Sequence, residues 1–122
     1  MSKFSFFNNN PAGDIEQDCV TRAISLGLGI KYEAVKRLLY ATAELYGCDT
    51  LCMCCYRHLL EDLFDLRPVR ADDGQTVAEI AKEHSGQRVI IRCNGHLTCS
   101  MLGTVCDIWD CTGEVADCFW VS

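Results

Sequence analysis

Apolar residues recur at helical spacing through the first two thirds of the chain and at strand spacing through the last third. Val20, Ala23 and Ile24 mark a helix that opens at Cys19, with Asp18 placed to cap it. Gly27 and Gly29 are expected to break it. A second helix runs from Tyr32 to Tyr46, with Val35, Leu38, Leu39, Thr42 and Leu45 on one stripe, and Gly47 closes it. A third covers about 52–64, with Leu59, Leu60, Leu63 and Phe64 in period. A short fourth runs from its cap Thr76 to about His84, turning Val77, Ile80 and Ala81 inward. After Gly86 the period falls to two. Strands are predicted from Arg88 to Arg92, Leu97 to Leu102, Val105 to Trp109 and Cys118 to Val121, with a tight Gly103-Thr104 turn inside the run. Residues 1–13 read as an extended, Asn-rich lead-in ending at Asn10-Pro11-Ala12-Gly13, since Pro11 excludes helix just before it. Helices first and sheet second define an α+β class, with the N-terminal helices packed on a C-terminal antiparallel meander of about four short strands.

Length and charge narrow this picture. One domain over residues 1–122 is expected, long enough to bury a core. A 49% hydrophobic and 23% charged composition is that of a folded globular chain and not of a disordered one. The net charge of −6, with 11 scattered Lys and Arg, excludes a dense phosphate-binding surface, so nucleic acid is not an expected partner. The N-terminal residues turn polar at once and lack the apolar stretch of a secretory signal, and no window approaches the roughly 20 apolar residues of a membrane span. The expected location is therefore the cytoplasm, without a membrane partner. That setting keeps the ten cysteines as thiols, and Cys48, Cys93, Cys99, Cys106 and Cys118 read as small apolar fillers.

Cys19 stands apart from these. A thiol in the first turn of a helix faces unpaired backbone N–H groups and the positive end of the helix dipole, both of which favour the thiolate. The Cys19 N–H and a side-chain amide from Gln17 or Asn10 are candidate oxyanion donors. His96, in Asn94-Gly95-His96-Leu97-Thr98, heads a strand, where Gly95 permits a sharp bend. Asp107, eleven residues on and one hairpin away, lies on the neighbouring strand within lateral reach of His96. Asp110 follows as a second candidate acid, with capping of the turn toward Thr112-Gly113 as its simpler role. Trp109 reads as a core or rim packer. His58 and His84 read as solvated helix residues.

Cys at a helix start, Gly-His opening a strand and then Asp107-Ile108-Trp109 resemble the papain-like cysteine peptidases, whose third catalytic member sits at an Asn-Ser-Trp strand end. The closing Cys118-Phe119-Trp120-Val121 is similar to the aromatic strand that ends such domains. Over about residues 8–122 the outline resembles small papain-fold proteins of bacteria and their phages. The resemblance implies a papain-like core with Cys19 as nucleophile, His96 as base and Asp107 as the acid replacing asparagine. It implies a peptide or protein substrate and no cofactor. There are differences: Gln17 stands only two residues before Cys19, and the Cys-Gly-Ser-Cys-Trp signature is absent. His96 follows Cys19 by 77 residues, against roughly 130–150 in the large enzymes, which implies a version without their second lobe.

The expected function is thus a cysteine hydrolase, a peptidase working through a thioester. Amidase, deamidase or acyl-transfer chemistry would use the same three residues. A catalytically silent binding or assembly protein, such as a phage accessory or regulatory factor, is the other class. Cys48, Cys52, Cys54 and Cys55 cluster enough to suggest a metal. Their spacing lacks a paired Cys-x-x-Cys knuckle and falls largely on a helix, so they read as packing residues and no metal is assigned.

Overall fold

The computed structural model of the chain describes residues 3–13, 17–50 and 52–122, so the approach to the first helix at 14–16 lies outside the described residues. In chain order the elements are β1 (Phe4–Phe6), α1 (Cys19–Leu28), α2 (Tyr32–Tyr46), α3 (Met53–Arg57) running into a π-helical stretch (His58–Leu63), β2 (Pro68–Arg70), α4 (Val77–Glu83), β3 (Arg88–Cys93), β4 (His96–Met101), β5 (Thr104–Asp107) and β6 (Cys118–Val121). The class is α+β, and the sheet is open and mixed, with strand order β1-β5-β4-β3-β6-β2.

Apolar burial on both faces of this sheet holds the layers together. On one face α1, α2 and the π-helical stretch pack Val20, Ile24, Val35, Leu39 and Leu59 against Ile90, Leu97 and Trp120. On the other, Val77, Ile80 and Ala81 of α4 cover Val89, Ile91, Val105 and Phe119. The α4 helix is held at its start by a reciprocal capping box between Thr76 and Glu79. Among the described residues no helix is long and apolar enough to cross a membrane.

Six strands form where about four were expected. The two additions are three residues long, Phe-Ser-Phe and Pro-Val-Arg, and largely exposed, so neither carries the alternation that marks a half-buried strand. Nor is the sheet a simple meander. The β6 strand returns to pair with β3 (Ile90 opposite Trp120) and receives β2 on its other side, while β1 pairs with β5 in parallel.

Gly27 does not break α1, which continues to Leu28 and ends at the left-handed Gly29. Instead Gly27 is where the helix touches the sheet: a Cβ there would lie 2.2 Å from Ile90 Cγ1. The third helix is α-helical only over Met53–Arg57. Beyond it the turn widens, with the Phe64 N–H donating to Leu59 O at 3.1 Å, and the consecutive residues Leu59 and Leu60 are both fully buried.

Two hairpin turns set the register of β3, β4 and β5. Asn94 (φ 45°) and Gly95 (φ 75°) form one, and Leu102 (φ 52°) and Gly103 (φ 86°) form the other, one residue earlier than the sequence pattern places it. Positive φ at both central residues matches the right-handed strand twist, and Asn-Gly is the pair best suited to it. The first turn makes His96 the opening residue of β4, opposite Cys93.

Gly27→Ala is expected to lower the unfolding free energy by about 1–3 kcal/mol, because the added methyl must displace Ile90 in a packed core. A urea titration followed by circular dichroism measures it, and an unchanged midpoint would contradict the close helix–sheet contact.

Candidate active site

Cys19 is the first residue of α1, so its backbone N–H is among those without an intrahelical acceptor. Asp18 occupies the N-cap position, but its side chain makes no capping bond. Its carboxylate instead accepts from Arg22 Nε at 2.6 Å, Tyr32 Oη at 2.7 Å and Asn10 Nδ2 at 3.1 Å. Three stronger donors, two of them from other segments, outcompete the local cap, and they fix the start of the helix against α2 and the lead-in.

His96 Nε2 lies 2.7 Å from Asp107 Oδ2. That contact leaves Nδ1 as the ring nitrogen able to serve Cys19, whose thiol is under the influence of His96 and of the backbone N–H of Leu97. Burial pushes the Cys19 thiol up. The His96 ring, the Leu97 N–H and the charges of His96 and Arg22 outweigh it, so the thiol ionises below its ordinary value. For His96, burial opposes the charged ring. The Asp107 bond, with help from Cys111 and Cys19, overcomes this and raises its pKa to about 11. A thiolate–imidazolium pair is the protonation state these environments favour together.

Asp107 is the buried anchor of the set, only 2% exposed. Its Oδ1 accepts from Arg22 Nη1 at 2.9 Å and from the Ile108 N–H at 2.7 Å, while Oδ2 faces His96 and the Cys111 thiol. Burial would raise its pKa, but the His96 and Arg22 contacts dominate and lower it to about 2. Arg22 was not singled out by the sequence pattern. A readable signal exists: Asp18 and Arg22 stand at i and i+4, and Arg22 interrupts the apolar stripe of Val20, Ala23 and Ile24.

These groups border a cleft of about 500 Å³ between α1, α3 and the β3–β4 turn. Gln17, Cys19, Tyr56, Arg92, His96 and Trp109 line it. Of the two amide candidates, Gln17 is exposed at this cleft. Asn10 is not part of its wall: it is buried, with its Nδ2 directed at Asp18 and Tyr32, which leaves it as a support for Asp18. The Trp109 ring packs 5.0 Å from His96 and stays 42% exposed, covering one side of the imidazole. Asp110 turns away to accept from the Thr112 N–H at 3.0 Å. The β5 strand ends at Asp107, so Trp109 and Asp110 belong to the following turn and not to a strand. His58 stacks on Tyr46 and contacts Asp62, and His84 lies by Gln87 and Phe119; neither lines the cleft.

Two groups of side chains among the described residues have metal-ligand composition: His96, Asp107 and Cys111, and separately Cys48, Cys52 and Cys54. In the first, His96 and Cys111 already bond to Asp107, and Asp107 and Cys111 are buried, so it reads as a hydrogen-bonded set. Comparison of the chain with known protein families, curated proteins and solved structures finds no match.

Because Asp107 is held near 2 in the folded chain and ordinarily ionises near 3.8, its contribution to stability is present above 3.8 and is lost as pH falls through about 2. At neutral pH, Asp107→Asn is expected to cost about 3–5 kcal/mol, since Arg22 and His96 each lose a buried partner. The difference from the unmodified chain should shrink on acidification from pH 4 toward 2, as read by chemical unfolding. A difference independent of pH would contradict the buried carboxylate.

Proposed function

We propose that the chain is a cysteine hydrolase of papain-like kind, acting on peptide or other amide bonds through Cys19, His96 and Asp107. The observation that carries this reading is the His96 ring, held by Asp107 on one side and lining, with the Cys19 thiol whose ionisation it favours, the wall of an open cleft.

In this mechanism the Cys19 thiolate attacks the carbonyl carbon and the C–O π pair moves onto oxygen. The Cys19 N–H and the Gln17 side-chain amide are the donors at hand for that oxyanion. The His96 imidazolium protonates the leaving amine as the C–N bond breaks, giving a thioester. His96 then takes a proton from water, which attacks the thioester and releases the acid and the thiolate. Asp107 keeps its proton-free form throughout, fixing the ring and stabilising its positive charge. Arg22 is a positioning residue that acts through Asp107. A free amide or an acyl acceptor other than water fits the same steps, so deamidation and acyl transfer belong to the same reading.

The test is the rate of iodoacetamide labelling at each cysteine as a function of pH, read by mass spectrometry. Cys19 is expected to label fastest near neutral pH, with an apparent pKa below 9.0, and to lose that advantage in His96→Ala. On a peptide-amide substrate, Cys19→Ala should lower kcat by about 10⁴–10⁶ with the fold intact. Asp107→Ala should lower it further than Asp110→Ala does. A Cys19 that labels like its neighbours would instead place the chain among binding or assembly proteins.

A further inference from the structure

The α2–α3 connection gathers sulfur that the proposed chemistry does not use. The α2 helix ends at Gly47 in the left-handed conformation, with its N–H and that of Cys48 both donating to Ala43 O. This reversal carries Cys48 back toward the start of α3. There Cys52 holds the N-cap position, its N–H donating to Asp49 O at 3.1 Å and its Sγ accepting from the Cys55 N–H at 3.4 Å. Cys54 follows two residues on, with its Sγ 2.8 Å from that of Cys52. The sulfurs of Cys48, Cys52 and Cys54 all lie within 4.8 Å of one another.

Sequence spacing placed these thiols along a helix as packing residues, and Cys48 and Cys52 do rest against the core, but packing accounts neither for the exposed Cys54 nor for the convergence of the three sulfurs. Filler cysteines such as Cys93 and Cys99 are fully buried, whereas Cys54 is exposed and Cys48 and Cys52 are half-buried. Three convergent thiols open to solvent have the composition and spacing of a thiophilic metal site. In a tetrahedral zinc–thiolate centre, Zn–S bonds of about 2.3 Å set sulfurs about 3.8 Å apart, which small side-chain rotations reach from here. Cys55 follows Cys54 directly; its Sγ donates to Leu39 O at 3.6 Å, and it is a further thiol for the fourth position, with water as the other source.

We propose that Cys48, Cys52 and Cys54 form a binding site for one Zn²⁺, clipping the end of α2 to the start of α3. Each ligating thiol gives up its proton as its Zn–S bond forms, so binding of Zn²⁺ by three thiols releases three protons and changes no oxidation state. The clip has a structural purpose. A five-residue helix is marginal without tertiary support, and α3 supplies Met53 and Tyr56 to the wall of the cleft that holds Cys19. The site stands apart from Cys19, His96 and Asp107 and does not depend on the hydrolase reading.

The test uses the full chain, reduced and freed of metal by a chelator, then titrated with Zn²⁺ and probed by iodoacetamide footprinting. Expected are uptake of one Zn²⁺ per chain and slowing of labelling at Cys48, Cys52 and Cys54 by about tenfold or more, with Cys19 labelling unchanged. Co²⁺ in place of Zn²⁺ should give sulfur-to-cobalt charge-transfer absorption with the visible bands of a tetrahedral site. Cys48→Ser should weaken binding by more than the roughly 10–100-fold typical of losing an outer-shell partner, while Cys111→Ser leaves it unchanged. No stoichiometric uptake by the unmodified chain overturns the proposal. So does a footprint in which Zn²⁺ protects Cys19 or Cys111 instead.

Discussion

The buried carboxylate of Asp107 is the point on which the rest of the arrangement depends. An ionised group at 2% exposure is tolerated only when both oxygens are answered, and here Arg22 and the Ile108 N–H take one while His96 takes the other. Each answer comes from a different part of the fold. Arg22 belongs to α1, His96 opens β4, and Ile108 leaves β5. Satisfying one charge therefore fixes the position of the helix that carries Cys19 relative to the turn that carries His96. Arg22 extends the constraint to Asp18, and Asp18 to Tyr32 of α2 and Asn10 of the lead-in. A chain of charge-assisted bonds thus runs from β5 through α1 to α2, in the same space where apolar packing alone would leave the helix free to slide.

Much of this was legible in the sequence wherever one local rule governs one element. The Val35, Leu39 and Thr42 positions of the α2 stripe with its closing Gly47, the Thr76 cap of α4 and the apolar runs of β3 and β6 all follow short-range pattern or capping chemistry, while Leu45 of the expected stripe faces solvent. The proximity of His96 and Asp107 was legible for a similar reason, since two hairpins and a count of residues suffice to bring them side by side. What sequence could not supply was competition between long-range and local partners. Asp18 has the residue type and position of a cap, yet Arg22, Tyr32 and Asn10 claim it. Asn10 has the right amide for an oxyanion donor, yet serves Asp18. Gly27 reads as a breaker in a one-dimensional pattern, but in three dimensions it is the contact with Ile90. The strands β1 and β2 exist through pairing with β5 and β6 and carry no pattern of their own.

Ten cysteines in one chain invite a single explanation, and the structure gives several. Cys93, Cys99 and Cys111 are sealed in the sheet layers, Cys48, Cys52 and Cys54 converge at a surface turn, and Cys19 stands half-buried at a cleft. Residue type is constant across these groups, so the differences in expected chemistry come from burial and neighbours. A sealed thiol packs as a small apolar group, three open thiols that meet can share a cation, and one thiol beside an imidazole can ionise.

The comparison between Cys19 and Cys111 shows how far access matters. Both thiols interact with the His96–Asp107 pair, and Cys111 lies 3.7 Å from Asp107 Oδ2. Contact with the pair therefore does not distinguish them. The Cys93 and His96 contacts lower the Cys111 thiol to about 6 against its burial, so it too can ionise, but it is fully buried and leaves no path for a substrate carbonyl. Cys19 has the Leu97 N–H and the His96 ring as its partners, donors that favour the thiolate, and it borders the cleft. Reactivity at this centre requires a stabilised anion and an open approach in the same atom, and of the two thiols only Cys19 Sγ combines them.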